Sequence, residues 1–222
     1  MKSFLVIGIG RFGGAVAKKL SDLGHEVLAM DKVEHNIQNV SEVVTHAIIA
    51  DATDVKTLRT LGGHNYDCAI VAVGEDIGDS VLIALALKEL GVKQIISKAR
   101  DEQHKKILQK IGVDQVIIPE HEAGARLAVN VAELNLIDTL ELSDTYGVSE
   151  LIAPLKWEGK RIGEIDIRRK YGCVVAAVKK ASTGGEEEVI VAPKADYVFE
   201  HADLIVLIGE NEQINLLSHL KA

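Results

Sequence analysis

Short apolar runs alternate with amphipathic segments along residues 1–135 of the chain. Regular alternation of strand-like and helix-like segments is typical of a parallel sheet covered by helices. The predicted strands are Phe4–Gly8, Glu26–Asp31, His46–Asp51, Cys68–Val73, Gln94–Lys98 and Val116–Ile118. The predicted helices between them are Gly13–Leu23, His35–Val40, Val55–Leu61, Asp79–Leu90 and Glu102–Ile111. This order predicts a Rossmann-like α/β fold, a doubly wound parallel sheet that binds its ligand where the strand order reverses.

Two predicted helices differ in the distribution of their apolar residues. Asp79–Leu90 is apolar on nearly every side, whereas Glu122–Leu134 is amphipathic. A helix without a polar face is usually covered on both sides. For Asp79–Leu90 two interpretations remain open: a helix packed between the sheet and a second subunit, or a helix buried within the core of a single chain.

The pattern changes after Leu140, where short alternating strands replace the strand–helix repeat. The predicted strands here are Ser149–Leu155, Cys173–Lys179, Glu188–Ala192 and Leu204–Gly209. Two helices, Arg161–Ile167 and Glu212–Leu220, and a turn at Ser182–Gly185 complete this region. We therefore divide the chain into a nucleotide-binding domain (residues 1–135), a linker (residues 136–144) and a small α+β domain (residues 145–222). The second domain is small for a dehydrogenase substrate domain, which favours a regulatory or sensing role.

Composition and charge limit the partners that the protein can bind and the cellular compartment in which it is expected. The formal net charge of −8 argues against a nucleic-acid partner, which selects a basic surface. Cys68 and Cys173 stand alone in apolar runs, a pattern typical of buried thiols in a reducing compartment. Met1-Lys2-Ser3 leads directly into the first strand, and no apolar run approaches the ~18 residues that cross a bilayer. We expect a soluble, cytoplasmic protein that acts at a membrane only through a partner.

The first strand runs directly into Gly8-x-Gly10-x-x-Gly13, and a helical pattern follows. The first glycine permits a tight turn, the second lets the backbone approach a phosphate, and the third lets the helix pack on the strand. The start of a helix also directs free N–H groups and the positive end of its dipole at an anion. Arg11, followed by Phe12 in the same loop, adds a positive charge that can reach a phosphate. The sequence therefore predicts a nucleotide site at this loop.

Polar residues at the ends of the second and third strands extend the predicted site. Asp31 ends the second strand, where a carboxylate accepts hydrogen bonds from ribose hydroxyls and repels a 2′-phosphate. NADP is therefore disfavoured, although the neighbouring Lys32 weakens that argument. Asp51-Ala52-Thr53 closes the third strand, where Asp51 or Thr53 can contact the adenine edge. Thr53 can equally be the N-cap of the next helix.

The remaining candidates follow the fourth, fifth and sixth strands. Gly74 is placed to line the nucleotide. Lys98 and Arg100 bring positive charge to the end of the fifth strand, where it can meet phosphates. Glu120 follows the sixth strand and offers oxygen ligands suited to Mg²⁺ or Ca²⁺. Alternatively, Glu120 and Glu122 begin a helix, where acidic residues are favoured.

The chain lacks the motifs of common catalytic sites. There is no Gly-x-Ser-x-Gly, no His-Glu-x-x-His and no Walker-type phosphate loop, and the histidines are scattered. We therefore expect a binding protein and not an enzyme. The alternative is an NAD-dependent oxidoreductase or NAD(H) redox sensor with a small second domain, because the glycine loop and Asp31 are common to both classes.

Several motifs in order resemble one known family. They are Val6–Gly14, Glu26–Asp31, Ala50–Asp54, Leu87–Gly91, Lys110–Asp114, Ile118–Glu120, Leu140–Asp144 and Asp166–Cys173. Together they resemble the regulatory (RCK, or KTN) subunits of Ktr-type potassium uptake systems and, more distantly, TrkA proteins. The similarity extends over essentially the whole chain. TrkA is duplicated within one chain, whereas this sequence holds one unit, which favours the Ktr type.

The resemblance implies a function and a set of partners. Such subunits consist of TrkA-N and TrkA-C domains and assemble through dimers into an octameric ring beneath a membrane-embedded potassium-transporting subunit. ATP and ADP compete for the glycine-rich site, and some members bind NAD(H) instead. By this likeness Arg11 reads the γ-phosphate, Asp31 holds the ribose, and Glu120 helps to hold a divalent cation between subunits. The protein would then lie at the inner face of the cell membrane through its partner.

The resemblance also implies a ligand for the second domain. Several relatives bind cyclic di-AMP there, with an arginine just before a Tyr-Gly pair. Arg168 and Arg169 would supply that arginine in this chain. The polar residue that follows in some relatives is replaced here by apolar residues after Cys173, which counts against this ligand.

Overall fold

The computed structural model describes residues 1–62, 65–74, 76–132, 136–180 and 188–221. The chain folds into two compact units, residues 1–120 and 121–222. Each unit has its own sheet and its own apolar core. The Rossmann-like α/β domain and the small α+β domain expected from the sequence are both confirmed.

The first unit is built from alternating strands and helices. Its strands are β1 (Ser3–Ile7), β2 (Glu26–Asp31), β3 (His46–Ile49), β4 (Cys68–Val71), β5 (Ile95–Lys98) and β6 (Gln115–Ile117). Its helices are α1 (Arg11–Asp22), α2 (Glu34–Gln38), α3 (Val55–Thr60), α4 (Ile77–Glu89) and α5 (Glu102–Ile111). A further helix, α6 (Pro119–Ala132), begins at the end of this unit and continues into the second.

The strand order fixes where a ligand can bind. Among the described residues, six parallel strands form one sheet in the order β3-β2-β1-β4-β5-β6. The chain winds outwards from β1 in one direction and then from β4 in the other, which creates a switch point between β1 and β4. Both strands end at this crevice. The Gly8–Gly13 loop follows β1 and therefore lies at the switch point.

The two faces of the sheet explain the alternating pattern of β1. Leu5 and Ile7 lie in one apolar cluster, whereas Val6 lies in the other. Successive side chains of a strand point to opposite faces, and helices cover both faces of a parallel sheet. Residues on both faces of the central strands are therefore apolar, and the polar residues that matter for function are confined to the strand ends.

Helix α4 has one buried and one exposed face in this chain. Ile83, Ala84 and Leu87 are buried against the sheet, whereas Leu82 and Leu85 are 54% and 44% exposed. The interpretation in which this helix is buried within one chain is therefore wrong. The other interpretation, a second subunit on the exposed face, stays a prediction.

Several helices begin earlier than predicted, because the residues before them act as caps. Helix α1 begins at Arg11 with Gly10 as its N-cap, and α4 begins at Ile77 with Asp76 as its N-cap. The Asp76 carboxylate accepts a hydrogen bond from the backbone N–H of Asp79, which satisfies a donor that a helix otherwise leaves unpaired. Helix α6 begins at Pro119, and proline is favoured in a first helical turn.

The second unit is an antiparallel sheet with short helices. Its strands are β7 (Leu136–Glu141), β8 (Tyr146–Ile152), β9 (Val174–Lys179), β10 (Val189–Val191) and β11 (Leu204–Glu210). Its helices are α7 (Ile162–Ile165), α8 (Ile167–Tyr171) and α9 (Asn211–Ser218), with a 3₁₀ turn at Leu155–Trp157. Within the described ranges, the strand order is β10-β9-β11-β8-β7. Trp157 and Phe199 are the largest side chains in its core.

The second unit differs from the prediction at two places. Residues 136–141, assigned to a linker, form β7 and pair with β8, because strand pairing satisfies the backbone groups of this segment. The helix predicted over Arg161–Ile167 is divided into α7 and α8 at Asp166, whose φ of 53° lies in the left-handed region. The turn predicted at Ser182–Gly185, and residues 133–134 of the predicted Glu122–Leu134 helix, lie outside the described residues.

Candidate functional site

The glycine loop turns the chain sharply from β1 into α1. Gly8 has a φ of +89°, a conformation that a residue with a side chain rarely adopts, and its N–H donates to the Met30 carbonyl at 2.8 Å. A Cβ on Gly13 would lie 1.9 Å from the Gly8 carbonyl oxygen. A Cβ on Gly10 would have no heavy atom within 4 Å. Gly8 and Gly13 are therefore required by the fold, whereas Gly10 leaves open space next to the loop.

Arg11 stands at the first position of α1. Its side chain is exposed, and the half-buried Phe12 follows it in the same turn. The first N–H groups of a helix have no partner within the helix, and they carry a partial positive charge. Arg11 adds a full charge at the same end of α1. This end of the helix is therefore suited to bind phosphate.

The Asp31 carboxylate is held by hydrogen bonds from three directions. Its Oδ2 accepts from the Ile9 N–H at 2.6 Å and from the Asn36 side-chain amide at 3.0 Å. Its Oδ1 accepts from the Val33 N–H at 2.8 Å. Asp31 is 9% exposed. An ionised carboxylate has about four acceptor positions, so these bonds fix its orientation and leave about one position for a ribose hydroxyl.

Asp51, Ala52 and Thr53 form a turn after β3. Asp51 Oδ1 accepts from the Thr53 hydroxyl at 2.7 Å and from the Thr53 N–H at 2.9 Å. These two bonds lower the pKa of Asp51. Ala52 is buried in the core, so only its backbone faces outwards. The N-cap of α3 is Asp54, whose carboxylate accepts from the Lys56 N–H, so the alternative role of Thr53 as a cap is wrong.

Lys32 is paired across the crevice with a residue of α4. Its ammonium lies 3.2 Å from Asp79 Oδ2. This hydrogen bond is the largest cause that raises the pKa of Lys32, and the charges of Asp51 and Asp76 act in the same direction. The side of the crevice that holds Asp31 and Lys32 is therefore rich in carboxylates.

The opposite side of the crevice combines positive charge with Glu120. The Lys98 ammonium lies 2.5 Å from Glu120 Oε1, and the Lys98 side chain is only 18% exposed. A Cβ on Gly74 would lie 3.3–3.6 Å from the Lys98 methylenes, so this lysine crosses Gly74 on its way to Glu120. The bond from Lys98 lowers the pKa of Glu120, and the charge of Arg11 contributes to the same shift. Lys98 therefore joins Gly74 to Glu120, and the charge of Arg11 acts on the same carboxylate.

The fit of Glu120 to a divalent cation depends on its neighbours. Within the described ranges, no group of three histidine, cysteine, aspartate or glutamate side chains is arranged to hold a metal. Moreover, one oxygen of Glu120 is already paired with Lys98. The residues of this chain alone do not fit a Mg²⁺ or Ca²⁺ site, since such ions take six or more oxygen ligands. The alternative, in which Glu120 and Glu122 lie in the first turn of a helix, is confirmed by α6.

Arg100 lies just beyond β5 and interacts with the start of α5. Its side-chain Nε lies 3.2 Å from Asp101 Oδ2, and its backbone N–H donates to His104 Nδ1 at 3.2 Å. His104 is fully buried, and burial lowers its pKa. The hydrogen bond to His104 orients the backbone of Arg100, and the Asp101 carboxylate pairs with its guanidinium. These contacts do not place the guanidinium with Arg11 and Lys98.

Arg168 and Arg169 are exposed on α8 of the second unit. Next to α8, Lys156 donates to the Tyr171 hydroxyl at 3.0 Å. Both cysteines are free and buried, as predicted. Burial raises the pKa of Cys68 to about 11 and also raises the pKa of Cys173. Neither thiol is therefore a nucleophile at neutral pH.

Sequence reasoning missed three residues around the crevice: Asn36, Asp79 and His104. Each contacts a residue that was predicted from the sequence: Asp31, Lys32 and Arg100 respectively. The strand order could have indicated the contact of Asp79 with Lys32. Lys32 follows β2 and Asp79 lies in the first turn of the helix after β4, and only β1 separates these two strands in the sheet. Asn36 and His104 carry no such signal, since their roles depend on side-chain geometry.

The fold and the loop define the class of protein: a Rossmann-type nucleotide-binding domain followed by a small α+β domain. The TrkA-N domain family matches residues 4–119, and the TrkA-C domain family matches residues 149–222. The chain is 42% identical to Ktr system potassium uptake protein C of Bacillus subtilis, over 96% of this chain and 95% of that protein. It is 38% identical to Ktr system potassium uptake protein A of the same organism, over 96% and 94%. The chain therefore belongs to the Ktr/Trk family of potassium uptake proteins with TrkA-N and TrkA-C domains.

Solved structures of a channel share the fold. The chain superimposes on the GsuK channel with a TM-score of 0.70 at 21% identity, over 99% of this chain and 39% of the channel chain. GsuK bound to NAD gives a TM-score of 0.65 at 19% identity, over 100% and 40%. GsuK bound to ADP gives 0.53 at 18% identity, over 60% and 35%. At these identities the likeness shows the fold alone. In the part of this chain that the structure describes, no helix is long and apolar enough to cross a bilayer.

Proposed function

We propose that this protein is a regulatory subunit of a Ktr-type potassium uptake system and that it senses adenine nucleotides at the Gly8–Gly13 loop. The observation that carries the proposal is the start of α1: the helix begins at Arg11, directly beyond the open space next to Gly10. A phosphate in that space would meet free N–H groups and the Arg11 charge. The relatives from Bacillus subtilis, which match along nearly their whole length, support the role in potassium uptake.

Within this proposal the two sides of the crevice have different tasks. Asp31 binds the ribose, while Asp51 and Thr53 contact the adenine edge. Gly74 lines the phosphates, and Lys98 and Arg11 attract them. ATP and ADP differ by one phosphoryl group, and a ligand shifts a conformational equilibrium only through different affinities for the two states. Arg11 is the residue that distinguishes the two nucleotides, because its exposed charge can reach the terminal phosphate.

The partners follow from the same family. We infer a membrane-embedded potassium-transporting subunit at the inner face of the cell membrane and self-association through dimers into an octameric ring. The exposed leucines of α4 support a self-contact. A divalent cation at Glu120 would need ligands from the nucleotide or from a second copy, so we derive no step from it. Cyclic di-AMP at Arg168 and Arg169 remains a separate proposal for the second unit.

NAD(H) is the second candidate ligand. The observation that favours it is the buried carboxylate of Asp31 at the end of β2, the position that binds ribose in dinucleotide sites. In addition, GsuK has been solved with NAD. By contrast, the charge of Arg11 at the start of α1 favours a terminal phosphate.

Calorimetric titration of the purified chain with ATP, ADP, NADH and cyclic di-AMP tests the proposal. We expect ATP and ADP to bind at one shared site and to compete with each other. Tighter binding of NADH than of ATP or ADP would favour NAD(H) as the ligand. Failure of ATP, ADP and NADH all to bind would contradict the proposed function.

A further inference from the structure

The Lys32–Asp79 ion pair connects two elements that flank the end of β1. Lys32 follows β2, and Asp79 lies in the first turn of α4, which follows β4. In the sheet, β1 lies between β2 and β4. Neighbouring strands are about 4.8 Å apart, so the two side chains meet across the carboxyl end of β1. The Gly8–Gly13 loop begins at that end.

Three carboxylates act on Lys32: those of Asp79, Asp51 and Asp76. Asp79 is 3.2 Å away, and the charges of Asp51 and Asp76 also act on the ammonium. These carboxylates come from the turn after β3 and from the start of α4. Asp31, the preceding residue, is tied to Ile9, Val33 and Asn36, and it does not pair with Lys32 in the described contacts. Consequently, the direct ion-pair partner of Lys32 comes from α4 and not from Asp31.

The position of Lys32 means that its pairing with Asp79 affects whether the site accepts a nucleotide with a 2′-phosphate. In dinucleotide sites, the acidic residue at the end of the second strand binds the ribose 2′-hydroxyl, and a basic side chain nearby accommodates a 2′-phosphate. Lys32 immediately follows that acidic residue. A lysine free to move would therefore attract a 2′-phosphate, whereas a lysine held at Asp79 leaves Asp31 and Asp51 to repel it.

We propose that Asp79, by holding Lys32 across the crevice, makes the site reject adenine nucleotides that carry a 2′-phosphate. The inference rests on the proposed function, because it requires an adenine nucleotide whose ribose lies at Asp31. Asp79 is a positioning residue here: it acts through Lys32 and touches no ligand. An exposed ion pair contributes little to stability, so its removal should leave the fold intact.

Competition against bound fluorescent ADP tests the inference, with AMP and adenosine 2′,5′-bisphosphate as a matched pair that differs only in the 2′-phosphate. In the wild-type protein we expect the bisphosphate to bind at least about tenfold more weakly than AMP, as expected for a phosphate facing uncompensated carboxylates. In Asp79→Asn the ratio of the two affinities should narrow by about twofold to fivefold, the range that an exposed ion pair supports. NADH and NADPH provide a second matched pair.

Two further variants separate the role of the pair from a general loss of charge. Lys32→Ala in the Asp79→Asn background should restore the wild-type ratio, because the freed lysine is then absent. Glu102→Gln removes another carboxylate from a first helical turn, where it lies 3.8 Å from Lys105, and it should leave the ratio unchanged.

The outcomes distinguish a failure of this inference from a failure of the proposed function. An unchanged ratio in Asp79→Asn, or equal binding of the matched pair by the wild-type protein, would overturn the inference while ADP binding still supports the proposed function. Failure of the wild-type protein to bind ADP, AMP or NADH would overturn both.

Discussion

Gly13 shows at the scale of one residue how the loop is constrained. A methyl group there would lie 1.9 Å from the Gly8 carbonyl oxygen and 2.9 Å from Ala72 Cβ. The first contact is with backbone, so it cannot be relieved by the rotation of a side chain. At Gly10, by contrast, a methyl group would meet only open space. Gly13 is therefore required for packing, whereas Gly10 provides access for the ligand under the proposed function.

This difference predicts opposite consequences for two alanine substitutions. Gly13→Ala should lower the free energy of unfolding by about 1–3 kcal/mol, because it overpacks the contact between α1 and the β1 end. It should also lose nucleotide binding. Gly10→Ala should lose binding with a smaller loss of stability, since its methyl group occupies only the space next to the loop. Chemical denaturation and calorimetric titration measure the two effects, and wild-type stability in Gly13→Ala would contradict the explanation.

The residues of the site were predictable to different degrees. Asp31 could be placed at the end of β2 from the apolar run that precedes it. Its hydrogen bond from Asn36 could not be predicted, because Asn36 is brought to Asp31 by α2, a helix of five residues. Similarly, Lys98 was recognised as a strand-end cation, but its pairing with Glu120 depends on the adjacency of β5 and β6.

At the scale of elements, α4 is the clearest case of an apolar surface that the chain leaves open. Its buried side packs on the sheet through Ile83, Ala84 and Leu87. Leu82 and Leu85 lie on the exposed side, three residues apart and therefore on one face of the helix. Together they form an exposed apolar patch, and contiguous exposed apolar patches mark contact surfaces when they are large.

The α4 surface leads to a prediction about self-association. A Leu82→Glu/Leu85→Glu double variant should lower the molar mass measured by size-exclusion chromatography with light scattering, because two charges would be buried in a contact between copies. The fold should persist, since both side chains are exposed within the chain. Leu216→Glu, at a leucine that is 61% exposed on α9, is the matched control. An unchanged mass in the double variant would exclude this face from the assembly.

Element type was more predictable than element limits. The central strands of the first sheet were predicted from their apolar runs, because both faces are buried and the signal is continuous. Cap residues such as Asp76 shifted the helix starts, since a capped turn contains polar residues that interrupt the pattern. Strand β7 was missed because it is an edge strand whose pairing with β8 is a tertiary contact.

At the scale of the whole molecule, the chain combines a nucleotide domain with a second unit that has its own core. The domain limits inferred from sequence, at residues 135 and 145, lie beyond the boundary between the two compact units, which follows residue 120. Helix α6 begins at that boundary and contains Glu120 in its first turn. Glu120, which pairs with Lys98 at the crevice, therefore lies in the first turn of the helix that begins at this boundary.

The central claim is that Arg11 lets the protein distinguish ATP from ADP. Calorimetric titration of both nucleotides into wild-type protein, Arg11→Ala and the control Lys18→Ala, which removes another exposed charge from α1, tests it most directly. We predict that wild-type protein and Lys18→Ala bind ATP and ADP with clearly different affinities, and that Arg11→Ala binds both nucleotides equally while its thermal unfolding is unchanged. An ATP-to-ADP affinity ratio in Arg11→Ala equal to that of the wild-type protein would contradict the claim.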